Sequence, residues 1–196
     1  MGVMRFLIDP TAMPRDWPEV YRAYICLYDQ SVCPTRVEVD SNVIACRRQV
    51  SDSGKLNVAW EVAGFGKPVL STASLREREE PYLLPVELAR GKIVQVRNQL
   101  AAWQSAGMQI PAGFVVAHAE AHSLFAKAAA SPDSVEQACF MAQQAIQKAC
   151  QAAEILTQAY TRQSLANRHR KYAQVPTLLG CQTDRKSTRL NSSHSS

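Results

Sequence analysis

The sequence predicts an α+β fold: a small antiparallel β-sandwich or barrel-like N-terminal domain, residues 1–80, followed by a long α-helical hairpin in residues 81–180. Three observations predict it. Val86, Ala89, Ile93, Val96, Leu100 and Trp103 recur at alternating spacings of three and four, which is one face of an α-helix. Val135, Ala138, Ala142, Ala145, Ala149, Ala152, Leu156 and Ala159 form a second stripe of the same period. Residues 1–80 instead break into short runs of branched and aromatic side chains divided by Gly, Pro and Asp-Ser-Gly, the punctuation of strands and turns.

Taken in order, MRFLI near the N-terminus is a short apolar run, and residues 9–18 hold three prolines and read as a loop. Residues 21–28, YRAYICLY, are a strand candidate rich in β-formers. Residues 35–39 alternate, with Val37 and Val39 on one side and Arg36 and Glu38 on the other. Residues 42–50 and 55–62 flank Asp52-Ser53-Gly54 and read as a hairpin; a further turn at 64–68 leads to a last strand at 69–75. REREE, residues 76–80, is a charged connector.

The first helix is expected at about 84–106, with Pro85 in its first turn, where a missing N–H costs nothing, and Gly107 ending it in the left-handed conformation. A second is expected at 114–129. A third is expected at 132–172, capped by Ser131 and started by Pro132. Its small stripe side chains allow close approach, so the third helix is expected to pack along the first as an antiparallel hairpin.

A chain of 196 residues, 46% hydrophobic and 20% charged, fits a globular protein able to bury a core without cross-links. No apolar run is long enough to span a bilayer, and the N-terminus has no basic-then-apolar signal pattern. The expectation is therefore a cytoplasmic location and no membrane partner, with other export routes left open. Six cysteines form no Cys-x-x-Cys pair and read as buried, reduced thiols; a Cys26–Cys33 bridge across a turn is the alternative.

The net charge of +5 is inflated by residues 184–196. Their DRKSTRLNSSH reads as the translation of a sequencing-library adapter, so this tail is expected to be artefactual and disordered, with the native chain continuing beyond Cys181. Without Asp184, Arg185, Lys186 and Arg189 the balance is 19 basic to 16 acidic residues, which makes no case for nucleic acid.

Several groups could carry chemistry. His118 and His122 stand one turn apart with Glu120 between them, a spacing that can present two imidazoles to a metal, but no third ligand is apparent; no metal and no cofactor is expected. Arg168, His169, Arg170 and Lys171 complement the carbonyl end of a helix. Glu77, Glu79, Glu80 and Glu87 cluster near the connector, but a glycosidase pair needs two carboxylates held apart across a cleft. Trp17, Tyr21, Tyr24, Tyr28 and Trp60 populate the β half. Core packing is the first reading of such rings; sugar stacking is the alternative, with Trp17, Tyr28 and Trp60 as the candidate carbohydrate-binding residues. No catalytic residue is assigned, and no nucleophile elbow, Walker loop or dinucleotide fingerprint is present.

The phrases DSG, ELARGK, RNQ and LGC, within PYLLPVELARGKIVQVRNQLAAWQSAG, LSTASLRER and NRHRKYAQVPTLLGC, resemble a group of large bacterial proteins similar to glycoside hydrolase family 10, the xylanase family. The resemblance covers residues 1–183 and implies a β-region and helical segment that precede a (β/α)8 barrel. The family's two catalytic glutamates lie on barrel strands, which would follow residue 183, so none carries over to this chain. It implies a non-catalytic accessory part of a carbohydrate-active protein, itself inactive, whose partners are a polysaccharide or oligosaccharide and the C-terminal barrel of the same protein. Binding carbohydrate and bracing the barrel are its two expected roles. An independent interaction module built on the helical hairpin, with no carbohydrate role, is the alternative.

Overall fold

Alternation of side chains sets the strands. In β1, Gly2–Leu7, residues Gly2, Met4 and Phe6 are buried while Val3, Arg5 and Leu7 are half-buried on the other face. The computed structural model describes residues 2–11, 17–131 and 134–172. Pro132, Cys181 and the adapter-like 184–196 lie outside the described residues. The remaining strands are β2 (Tyr24–Cys26), β3 (Val32–Cys33), β4 (Thr35–Asp40), β5 (Val43–Arg48), β6 (Lys55–Ala59), β7 (Val69–Ser71) and β8 (Tyr82–Leu83). They form two four-stranded sheets, ordered β4-β5-β1-β8 and β3-β2-β6-β7. Every pairing is antiparallel except β1 with β8, where Phe6 faces Tyr82 and Leu7 faces Leu83 in parallel register.

The expected hairpin of residues 42–50 with 55–62 is not formed. β5 lies in the first sheet and β6 in the second, so Asp52-Ser53-Gly54 is a crossover between sheets. Arg48 is the reason. Its buried guanidinium donates from Nη2 to the Asp52 carbonyl and to Glu77 Oε1 at 3.2 Å, drawing the chain inward. Gly54 then pairs with Leu75 instead, donating to its carbonyl at 3.0 Å. The hairpin partner of β5 is β4, across Ser41 and Asn42, with Ser41 at φ 56°. The expected turn at 64–68 joins β6 to β7 as an antiparallel hairpin, with Gly64 and Gly66 at φ 82° and 70°, but the last strand ends at Ser71 rather than at Leu75. Residues 21–28 are only partly strand. Pro18 opens a short 3-10 helix, Pro18–Arg22, whose buried Val20 anchors it, and β2 begins after it.

The helices are α1 (Leu84–Ser105), α2 (Ala112–Ala129) and α3 (Val135–Lys171). Gly107, at φ 87°, ends the turn that follows α1. The cap of α3 is Ser134, whose hydroxyl accepts from the Gln137 N–H at 3.3 Å. Ser131, expected in that role, instead donates its hydroxyl to the Lys127 carbonyl at the end of α2. The expected two-helix hairpin is a three-helix layer, because α3 packs on α2 as well as α1. Ile93, Ala121 and Ala149, one from each helix, form one cluster; Val96, Phe114, Ala117, Ala152 and Leu156 anchor the next. The small side chains of α3 let both neighbours approach. Its stripe also buries Cys139, Ile146 and Cys150, while Val135 is exposed.

The division of the chain at residue 80 is not a division of the core. The largest cluster joins Met4, Phe6, Ile44, Leu56 and Trp60 to Leu84, Leu88, Ala142 and Ile146. Polar contacts follow the same seam: Trp60 Nε1 donates to Gln143 Oε1 at 2.7 Å, Gln143 Nε2 to the Glu61 carbonyl at 2.7 Å, and Gln147 Nε2 to the Ala63 carbonyl at 3.2 Å. The described cysteines are all free thiols. Cys26 stands opposite Val32 and Cys33 opposite Ile25, so the two thiols leave opposite faces of the sheet and cannot bridge.

Candidate binding groove

The second sheet turns one face to the core and the other outward. In its ladder Tyr24 stands opposite Asn57 and Asn57 opposite Ser71, so all three share the outward face; Cys26 and Lys55 form the next row. α1 rests on the β7 edge at Gly91. A Cβ at that position would lie 1.9 Å from the Ser71 carbonyl oxygen, so only glycine lets helix and strand backbones meet this closely. Beyond the crossing, Gln95, Asn98 and Gln99 rise from the helix over the outward face. Sheet and helix enclose a groove of about 620 Å³ lined also by Gln30, Lys55, Asn57, Ser71, Thr72 and Ser74.

Part of this lining is committed internally. Ser71 donates its hydroxyl to Asn57 Oδ1 at 2.5 Å, and Asn57 Nδ2 donates to the Lys55 carbonyl at 3.2 Å. Thr72 Oγ1 accepts from the Leu56 N–H at 3.0 Å and donates to the Ala73 carbonyl at 2.8 Å. Gln95 Oε1 accepts from Lys92 Nζ at 3.1 Å. The side chains of Asn98, Gln99, Ser74 and Lys55 make no hydrogen bond or ion pair with the described residues. The groove thus offers the two free amides of Asn98 and Gln99, the Ser74 hydroxyl, the Cys26 thiol and the Lys55 ammonium. Among the described residues its lining holds no carboxylate, and the free Cys26 thiol stands in register with Lys55 across β2 and β6.

The aromatic trio named from sequence is not assembled. Trp17 and Trp60 pack edge to face, centroids 5.3 Å apart at 83°, at 7% and 2% exposure. Trp17 Nε1 donates to the Ala59 carbonyl at 2.8 Å, and the Trp60 indole is held by Gln143. Both rings are core and have no open face for a sugar, as the first reading held. Tyr28 is 97% exposed on the turn after β2, apart from both. The exposed ring on the sheet face that floors the groove is that of Tyr24, which stands opposite Asn57 but is not itself part of the lining. Sequence reasoning passed over Asn57 and Asn98. The available signal was Asn57 itself, a residue that disfavours strands placed within one, on the same alternation as Lys55.

The other candidates resolve into structural contacts. The His118 and His122 rings meet edge to face at 4.5 Å, and His118 stacks on Phe114 at 5.1 Å. Burial, helped by the neighbouring His122, holds the His118 imidazole below its ordinary range. Glu120 is paired with Lys148 at 2.6 Å, and no group of three metal-binding side chains occurs among the described residues. Glu77 pairs with Arg48 and Glu87 with Arg90, so the glutamates near the connector do not form an opposed pair. Arg168, His169, Arg170 and Lys171 occupy the exposed last turn of α3. None of the described helices is long and apolar enough to cross a membrane. Compared with family models, curated proteins and solved structures, the chain finds no match.

Proposed function

We propose that this chain is a non-catalytic accessory part of a glycoside hydrolase family 10-like protein and that it binds carbohydrate in the groove between the second sheet and α1. The observation that carries the reading is the groove's lining: the free amides of Asn98 and Gln99 and the Ser74 hydroxyl on two walls, with no carboxylate among the described lining residues; Tyr24 is exposed on the same sheet face, in the Asn57 row. Amides donate and accept side by side, as vicinal sugar hydroxyls do, and a tyrosine face takes the apolar side of a sugar ring. The chain itself hydrolyses nothing in this reading; it holds polysaccharide for a barrel that follows it. Calorimetric titration with xylo-oligosaccharides tests it. Binding that is lost in Asn98→Ala and Tyr24→Ala is expected; no heat at millimolar sugar would sink the proposal.

A second role, bracing that barrel, draws on a different observation. Val115 and Val116 on α2 are 57% and 59% exposed beside Ala119, an apolar strip no other described element covers. In this reading the strip is buried by the barrel of the same protein, and the isolated chain self-associates. A clean monomer in sedimentation at high concentration speaks against it. An independent helical interaction module would use the same strip and bind no sugar.

A further inference from the structure

We infer that the groove selects a hydroxyl-rich ligand bearing one carboxylate, an acidic sugar unit rather than a wholly neutral one. The inference rests on the carbohydrate reading and narrows it. Among the described residues Lys55 is the only cationic one in the lining, and none of them brings a carboxylate to neutralise it. Its ammonium has no ion-pair partner among the described residues. The side chain leaves the floor of the groove from β6, in the row opposite Cys26 and on the face shared with Asn57. An ammonium in a half-enclosed polar groove attracts an anion more strongly than one in open solvent does. A phosphate would favour more than one cation or a guanidinium fork, and the lining has neither. A single carboxylate among hydroxyls matches one lysine flanked by amides: the carboxylate meets Lys55, and Asn98 and Gln99 on the opposite wall take the neighbouring hydroxyls.

The test is a matched pair of ligands titrated into the whole chain: xylotetraose, and xylotetraose carrying one glucuronic acid branch. The acidic ligand is expected to bind about tenfold tighter or more, as a charge-assisted hydrogen bond adds to a neutral set. That preference falls away in Lys55→Gln, survives in Lys55→Arg, and shrinks as salt is raised from about 0.05 to 0.5 M. Circular dichroism confirms that both variants fold. Equal binding of the two ligands overturns the inference and leaves the carbohydrate reading standing. A preference that persists in Lys55→Gln also overturns it, since the selecting cation would lie elsewhere. Failure of both ligands to bind overturns the inference and the carbohydrate reading together.

Discussion

Gly91 of α1 and Ser71 of β7 meet backbone to backbone, so closely that a single added methyl would fall 1.9 Å from the Ser71 carbonyl oxygen. Thr72 closes the same space, its carbonyl carbon 2.6 Å from that methyl position. Gly91→Ala therefore sets two effects against each other. Alanine gains about 1 kcal/mol of helix propensity. The clash costs about 1–3 kcal/mol or more, because the obstacle is strand backbone that cannot rotate away. The clash wins: the variant melts lower than the parent, and its groove widens, weakening any ligand it holds. A higher melting temperature would show that helix and strand do not touch there.

The two tryptophans and Tyr24 should separate stability from binding. Trp60→Ala removes a ring buried to 2% exposure and leaves Gln143 without its donor, a loss of about 3–5 kcal/mol. Tyr24→Ala, on the exposed face, should change stability by less than about 1 kcal/mol while abolishing the ring contact to a sugar. Chemical denaturation and calorimetric titration on both variants decide the point. A Tyr24 variant that binds oligosaccharide as well as the parent removes Tyr24 from the site.

Arg48 and Glu77 fasten the crossover between the sheets. The Arg48 side chain is fully enclosed, and its Nε and Nη1 find no partner among the described residues. Glu77→Gln leaves the buried cation short of its counter-charge and should cost about 1–3 kcal/mol, reduced by the partial exposure of Glu77. Arg48→Met removes the charge altogether and should cost less than the loss of Glu77 alone. If the two denaturation midpoints come out in the reverse order, the pair is stabilising in its own right.

Stability should fall at both ends of the pH range. Burial pushes the Cys46 thiol up to about 12, and Cys139 and Cys150 shift the same way for the same reason. The unfolded chain loses these protons near pH 8.5 while the folded chain keeps them, so stability declines from about pH 9 toward 12. Burial lowers His118, so on the acid side the unfolded chain binds a proton the folded chain resists, and stability declines as pH drops below about 6.5. Urea melts from pH 5 to 10.5 on the parent and on Cys46→Ala and His118→Gln measure each arm. His118→Gln should reduce the acid arm and Cys46→Ala the alkaline arm, where Cys139 and Cys150 keep a residual slope, and each should leave the other arm unchanged.

The helices were legible in the sequence because a periodic stripe is a local signal: Val86 to Trp103 and Ala138 to Ala159 announce themselves. The ends were read less well, since two serines near the start of α3 compete as caps and only packing selects Ser134. β3 and β8 leave no signal in the sequence, and β5 pairs with β4 and β1 rather than with β6 as its flanking turn suggests. Asp52-Ser53-Gly54 has the composition of a hairpin turn, and its use as a crossover depends on Arg48 reaching Glu77 from a distant part of the chain. The groove was hidden for the same reason. Asn57 and Asn98 look like solvent-facing positions of separate elements until Gly91 brings helix and sheet together. Trp17 and Trp60 fit a sugar platform by composition alone, and their interior position decides for core packing, the first of the two readings.

The interlock of Trp60 with Gln143 has a practical corollary. A protease that nicks the chain within residues 76–80 would break one covalent bond and leave the interior seam closed, so the two pieces should travel together through a sizing column and part only in denaturant. Expressed separately, neither piece would be soluble alone, yet mixing them from denaturant should rebuild the whole.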